Sequence, residues 1–193
     1  MLDSDIHFKK TINDNLWVFA CEVYSRPTVD DACLTLQDHY GVDIPLLLCC
    51  CWAGYHYGEL SPELLQQASS FSKGWSANTT KPLRTIRRDM KTSYSQQWPV
   101  PDTDWASLRA QVKNLELASE KLMLEGLSRL ISEHAKKHDE PSRQSAILTA
   151  IANIKNTFSL DKDERAVDCV LGILKQVFNE SKQDLKILTS ANR

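Results

Sequence analysis

The apolar residues of this 193-residue chain recur mainly at helical spacing, and in one stretch they are unbroken. The eight residues of Leu46–Ala53 include no polar position at helical or strand spacing, a pattern typical of a segment buried on all sides. Asp43 is a good N-cap, Pro45 suits a first turn, and the apolar character continues to Gly58, which is too long for an ordinary strand. We therefore predict a buried central helix over about 44–57.

Further amphipathic stretches predict helices before and after this segment. The pattern predicts one helix over 13–24 and a second that ends at Gly41, which Thr28 caps through a capping box with Asp31. A third begins at Ser61-Pro62-Glu63 and ends at Gly74. A helix over 83–91 follows a polar loop. In that helix three apolar side chains are expected to face inward: Leu83, Ile86 and Met90.

The second half of the chain is also predicted to be helical. Pro99 and Pro101 forbid helix and favour an extended linker over 98–103. One long helix then runs from Thr103 to about residue 137, followed by two further helices, and no strand pattern is present. The predicted fold class is all-α. The predicted organisation is an N-terminal bundle over 1–97 and a C-terminal helical arm over 104–193, either separate or packed as one domain.

Charge and cysteine usage limit which surfaces, which redox state of the thiols and which bound groups are expected. The net charge is −2, but residues 1–63 carry −7 and the remainder +5, so an acidic and a basic surface are expected. Cys49, Cys50 and Cys51 are adjacent and point about 100° apart on a helix, so they cannot share a metal. With a polar, acidic start and no metal-ligand spacing, reduced thiols in a cytoplasmic protein are expected, with no metal and no cofactor. The uncharged run of Ile44–Gly58 is 15 residues, short of the roughly 20 that a membrane span needs.

The helix over 83–91 carries the sharpest surface feature. Arg84, Arg87, Arg88 and Lys91 share one face, predicted to be outward, and with Lys81 they place five positive charges within eleven residues. Such a face suits an acidic protein surface or a phosphate-bearing ligand. The alternative is a solvated face whose charges pair with acids of the same chain. Nucleic-acid binding is less favoured, since no recognised motif accompanies the charges.

Two weaker constellations lie nearer the central helix. Asp31 and Asp38 are seven residues apart on one helix face, where paired acids can bind a divalent ion, although exposed acids are the default interpretation. His39 and His56 flank the central helix, and aromatic residues around His56 suit either a ligand pocket or the polar rim of a core. No nucleophile, zinc or nucleotide motif nominates an enzyme.

Residues in the first three-fifths of the chain carry a family resemblance. They are Asn15-Leu16-Trp17, Tyr24 with Pro27 and Val29, Cys33-Leu34, Gln37-Asp38, Tyr40-Gly41, Asp43-Ile44, Leu46-Leu47-Leu48, Trp52, Trp75, and Pro82-Leu83-Arg84-x-x-Arg87-x-x-x-Lys91. In these positions the chain resembles a family of uncharacterised bacterial proteins, a domain of unknown function, over roughly residues 13–116. The resemblance implies a bacterial cytoplasmic protein and carries over no activity or catalytic residue.

Three functional hypotheses follow. The first is a non-enzymatic interaction module that presents the face of Arg84, Arg87, Arg88 and Lys91 to an acidic partner. The second is an enzyme or small-ligand binder with an inter-helix pocket, in which Asp38, His39 and His56 lie opposite Arg84 and Arg87 around a phosphorylated or carboxylated ligand. The third is a nucleic-acid or ribosome-associated accessory protein. A concave, partly apolar cavity favours the second hypothesis, and a flat or convex basic face favours the first.

Overall fold

A computed structural model describes residues 12–92, 99–139, 141–160 and 163–190 of the chain. These residues form helices joined by short connections, and no strand occurs among them, which confirms the all-α prediction. No helix in the described ranges has both the length and the apolar character needed to cross a bilayer.

The helices are numbered in chain order. They are α1 Leu16–Tyr24, α2 Val29–Tyr40, α3 Ile44–His56, α4 Pro62–Trp75, a π-helical turn Ser76–Thr80, α5 Lys81–Thr92, α6 Asp102–His134, α7 Arg143–Thr157, α8 Glu164–Phe178 and α9 Lys182–Ser190.

The central helix α3 is buried as its unbroken apolar run predicts. The side chain of Asp43 accepts a hydrogen bond from the Leu46 amide at 3.2 Å, and Pro45 occupies the first turn. Every residue of Leu46–Ala53 is at most 3% exposed. Since no face of α3 is polar, neighbours must cover it all round, and helices α1, α2, α4, α6 and α7 do so.

Helix α7 makes the closest approach to α3. Gly54 lies against the backbone of Ala150, and the hydroxyl of Thr149 donates to the Gly54 carbonyl at 2.6 Å. Asn153, fully buried, accepts from the Leu60 amide at 2.9 Å and donates to the Gly58 carbonyl at 3.0 Å. An amide side chain thus satisfies the backbone of the loop that follows α3.

One hydrophobic core joins the two halves of the chain. It includes residues of α1 to α4 together with residues of α6, α7, α8 and α9. Helix α2 packs on α8. Helix α9 is a third helix after α6, where the sequence predicts two, and its Leu185 is fully buried. The residues before and after 98–103 therefore pack together. Whether the N-terminal bundle and the C-terminal arm fold as separate units stays a prediction. Trp98, within that linker, lies outside the described residues.

One predicted helix end and one predicted capping box are wrong. Gly74 does not end α4: the helical path continues through the π turn into α5, because the Trp75 indole donates to the Ser119 carbonyl at 3.0 Å and Thr80 bonds the Ser119 hydroxyl at 2.8 Å. Thr28 forms no capping box, since it adopts a left-handed conformation with φ of 68° and its side chain makes no cap hydrogen bond.

The predicted inward face of α5 also differs. Ile86 is exposed, whereas Met90 is buried, so α5 contributes little apolar surface to the core. On α6 the polar residues Glu116 and Ser119 are buried while several leucines of the same helix are exposed. Pairing with Arg84 and Arg87 of α5, and with the end of α4, turns the polar side of α6 inward.

Candidate functional site

A cleft of about 560 Å³ opens between α1, α2, the start of α3, α5 and α6. Helices α5 and α6 contribute charged side chains, and α1, α2 and α3 contribute mostly apolar ones. The lining residues that the argument uses are Tyr24, Leu34, Ile44, Arg84, Arg87, Arg88, Lys113, Glu116, Leu117 and Glu120. We call this the arginine cleft.

Arg84 is held in the cleft by three hydrogen bonds. Its guanidinium donates from Nε to Glu116 at 2.9 Å, from Nη1 to the Gln37 side-chain oxygen at 3.0 Å and from Nη2 to Glu120 at 2.7 Å. Three helices, α2, α5 and α6, therefore meet at one side chain. The planar guanidinium allows this, because its donors point in fixed, different directions.

Arg87 and Glu116 form a two-point ion pair beside it. Arg87 donates to both oxygens of Glu116, from Nε to one and from Nη2 to the other at 3.3 Å. Burial alone would raise the pKa of Glu116, but the hydrogen bonds from Arg87 and Arg84 outweigh it and hold that pKa below its usual value. Glu116 is thus a fixed negative charge that orients two arginines.

Glu120 behaves differently although it is one turn away. Its pKa is raised, because burial in the cleft wall outweighs the attraction of Arg84. Its carboxylate accepts one hydrogen bond, from Arg84. Since the Arg84 contact is shared and the environment is partly apolar, the negative charge at Glu120 is the less stable of the two.

Positive charge exceeds negative charge around the cleft. Two carboxylates face four cations, and in the described part of the chain neither Arg88 nor Lys113 has an ion-pair partner. Both side chains are exposed at the rim. An entering anion would therefore meet two available cations before it reached the paired arginines.

The apolar part of the cleft is partly open to solvent. Tyr24, Leu34 and Leu117, from three different helices, are all exposed and all line it. Ile44, at the first turn of α3, is buried beneath them. An apolar wall beside fixed polar groups is the usual composition of a small-molecule site.

The structure unites some of the predicted site residues and separates others. Arg84, Arg87 and Arg88 line the cleft, whereas Lys91 is exposed beyond it and Asp38 and His39 are exposed on α2 without lining it. The expected outward direction is wrong for Arg84 and Arg87, since both turn toward acids of α6. The binding roles assigned to these residues stay predictions.

His56 lies away from the cleft, at the end of α3. Its Nε2 is 3.2 Å from the Asn13 carbonyl oxygen and its Nδ1 is 3.3 Å from the Asp14 carboxylate, and the ring contacts Trp52, Tyr55 and Tyr57. Burial lowers its pKa, and the nearby Asn13 and Asp14 oppose this only in part. This arrangement fits the polar rim of a core.

The cysteine thiols of α3 and the possible metal ligands are a separate question from the cleft. Burial raises the pKa of Cys50 to about 12 and the pKa values of Cys49 and Cys51 also rise, so these thiols are protonated at neutral pH. The described residues contain no cluster of three or more ligand-type side chains that could hold a metal ion.

Sequence reasoning missed the acids that organise the site. Glu116 and Glu120 lie one turn apart on α6 and pair with arginines about thirty residues earlier. The available signal was their i, i+4 spacing, which matches the i, i+3 spacing of Arg84 and Arg87. Only the packing of α5 against α6 shows that the two pairs face each other.

Residues 15–127, more than half of the chain, match a family described as protein of unknown function (DUF2390). Every residue that lines the arginine cleft falls within this range. Comparison with curated proteins and with solved structures found no match.

Proposed function

The chain belongs to the DUF2390 family, and we propose that its arginine cleft binds a small amphipathic anion, with a carboxylate or phosphate head and an apolar body. The head meets Arg88 and Lys113 at the rim and extends toward Arg87. The body lies against Tyr24, Leu34 and Leu117. The bacterial, cytoplasmic setting expected from the resemblance belongs to the same proposal.

The observation that carries this proposal is the joint presence of a concave apolar wall and unpaired cations. A volume of about 560 Å³ lies within the range of roughly 300–1,000 Å³ that is typical of ligand sites. Arg84 and Arg87 lie in a concave, partly apolar cavity, which favours a ligand site over a docking face. Asp38, His39 and His56, the other residues expected in such a pocket, do not line it.

Binding fits the charged groups better than catalysis does. Glu116 accepts hydrogen bonds from two arginines, and Glu120 accepts one from Arg84. Carboxylates held in this way position guanidinium groups for recognition of an acidic ligand, rather than take a proton from it. We therefore favour a binder over an enzyme.

Calorimetric titration with three matched probes tests the proposal: decanoate and decyl phosphate, each below its critical micelle concentration, and decanol below its solubility limit. The alkyl chains differ by at most one carbon, so head-group charge is the main variable. We expect both anions to bind in the micromolar range and decanol to bind at least tenfold more weakly. Equal binding of the three would contradict a cationic site, and no binding of either anion would overturn the proposal.

A pair of charge-reversed proteins locates the binding. Arg88→Glu with Lys113→Glu should weaken decanoate binding at least tenfold, because both rim cations are replaced by anions. Lys91→Glu with Lys155→Glu makes the same change in net charge at exposed positions outside the cleft and should leave the affinity unchanged. Equal losses in both proteins would indicate a general charge effect and would reject the site.

An acidic protein partner is the second candidate. Arg88 and Lys91 are exposed, and within the described residues neither has an ion-pair partner. Loss of partner capture in a pull-down with Arg88→Glu and Lys91→Glu, together with unchanged decanoate binding by Lys91→Glu, would favour docking. Retained capture would leave the cleft as the functional surface.

A further inference from the structure

Helix α6 carries a second surface that the arginine cleft does not use. Leu108, Leu115 and Leu122 recur at intervals of seven residues and are 48%, 58% and 53% exposed. Leu117 and Lys113, which line the cleft, lie on nearly the opposite side of the same helix. We call the exposed side the leucine strip.

The strip is continuous along most of the helix. Between and beside the leucines, the residues at the intervening heptad positions are also exposed: Asp104, Gln111, Ala118, Glu125 and Arg129. From residue 104 to 129 this covers roughly 38 Å at 1.5 Å per residue. A regular row of solvent-exposed leucines on one helix is unusual for an isolated domain, whereas a repeat of seven is the period at which two helices keep one seam in contact.

Two pairs of positions along the strip, one matched in size and one in charge, are complementary when the strip is turned around, while Leu108 then faces the partner's Glu125 and Leu122 faces the partner's Gln111. In an antiparallel pair where each Leu115 faces the partner's Ala118, each Asp104 faces the partner's Arg129 at both ends of the contact. Neither Asp104 nor Arg129 has an ion-pair partner within the described residues. A parallel pair would instead oppose like charges at positions 104, 125 and 129.

We propose that the leucine strip of α6 is the interface of a homodimer, in which a second copy packs α6 antiparallel against it across a two-fold axis. The occupant is a second copy because one strip supplies both members of each complementary pair, as a two-fold interface requires. Opposing a leucine to an alanine lets the backbones approach, and the terminal ion pairs set the direction. The arginine clefts face away from this interface.

Sedimentation equilibrium of the full chain from 1 to 200 µM tests the dimer. We expect the dimer to predominate at the upper end and Leu115→Glu to raise the dissociation constant at least tenfold. Leu117→Glu is the matched control, since Leu117 is 50% exposed on the opposite side of α6, and it should leave the constant unchanged. A monomer at 200 µM, or equal effects of the two variants, would overturn the proposal. Circular dichroism melting of each variant verifies that it is folded.

Cross-linking tests the direction independently of affinity. In a Cys21→Ser background, Asp104→Cys and Arg129→Cys proteins are treated with a short bis-maleimide, separately and mixed. The antiparallel register predicts a covalent dimer from the mixture and little from either protein alone. Linkage of each variant to itself would show a parallel pair, and equal yields in all three samples would show random collision; either result would overturn the proposed geometry.

Discussion

Helices α3 and α5 both lie within the matched family range, yet they are held in place by different forces. Helix α3 is covered on every side by apolar contacts and makes its closest approach through Gly54. Helix α5 buries Met90 and is otherwise attached to α6 by the ion pairs of Arg84 and Arg87, with a hydrogen bond from the Trp105 indole to the Met90 carbonyl at 3.1 Å. Close apolar packing holds α3 in place, and ion pairs hold α5.

This difference distinguishes the stable apolar frame around α3 from the charged surface that α5 and α6 form. Apolar burial is non-directional and gains free energy with area, so α3 forms the frame on which neighbours pack. An ion-pair network is directional. In the proposed function, the attachment of α5 places charged groups beside a rigid apolar wall, an arrangement that suits a bound anion.

The largest effect is expected on α3, the helix that apolar packing holds in place. A methyl group on Gly54 would lie 2.5 Å from the Ala150 amide nitrogen, so Gly54→Ala forces α3 and α7 apart. We expect it to lower the free energy of unfolding by about 3 kcal/mol, the upper part of the range for overpacked cores. Urea unfolding followed by circular dichroism measures this.

Gly74 supplies the control for this prediction. It lies within α4, and a methyl group there would have no atom within 4 Å. Gly74→Ala should raise the unfolding free energy by about 0.5–1 kcal/mol through helix propensity alone. Opposite signs for the two substitutions would establish the close contact at Gly54, whereas two stabilising substitutions would show that α3 and α7 are not in tight contact.

The frame could be predicted from sequence because its signals are local. The unbroken apolar run with Asp43 before it identified α3, and Ser61-Pro62 identified the start of α4. The fold class followed from the same periodicity. The end of α4 at Gly74 was wrong because long-range contacts of Trp75 and Thr80 with Ser119 carry the helical path past a residue that is a terminator only by propensity.

A smaller effect is expected on α5, the helix that ion pairs hold in place. Glu116→Gln keeps the shape of the side chain but removes the carboxylate that holds Arg84 and Arg87, and we expect a loss of about 2 kcal/mol. Asp168→Asn is the control, because Asp168 pairs with Lys186 at 3.5 Å on the exposed surface, where ion pairs contribute less than about 1 kcal/mol. Equal losses would mean that the buried network does not stabilise the attachment of α5.

The same carboxylate makes a pH prediction with a definite sign. Because the pKa of Glu116 is lower in the folded protein than its ordinary value of 4.5, its contribution is present above pH 4.5 and disappears as the pH falls through the folded pKa. The difference in unfolding free energy between the native protein and Glu116→Gln should therefore shrink below pH 4.5. A constant difference from pH 7 to pH 3 would contradict the assignment of a stabilised charge.

The site was less predictable than the frame because its partners are distant along the chain. Arg84, Arg87 and Arg88 stood out as a cationic group, but their direction depended on Glu116 and Glu120 of another helix. The sequence showed a charge pattern on each helix and no evidence of which patterns meet. Asp38 and His39 were placed in the site by proximity to the central helix, yet they lie on the exposed face of α2.

The smallest effect concerns His56, where the apolar helix α3 ends in polar groups. Since burial lowers its pKa below the ordinary 6.5, the unfolded chain binds a proton more readily than the folded protein does. The stability contribution of neutral His56 is therefore present above pH 6.5 and is lost as the pH falls through the folded pKa. Burial is the main cause of the lowered pKa, and the Asp14 carboxylate and the Lys137 ammonium act on the ring with opposite effects.

His56→Gln should accordingly reduce the loss of stability between pH 7 and pH 5. The control Gln67→Asn changes an exposed residue of α4 that does not titrate, so it should leave that loss as it is in the native protein. Urea unfolding at pH 5, 6 and 7 measures the three slopes, and comparing slopes removes any constant effect of the substitutions. If the two variants keep the same slope, the ring at the end of α3 is not held in its neutral form, and the frame is then less protected from water at this end than its apolar packing implies.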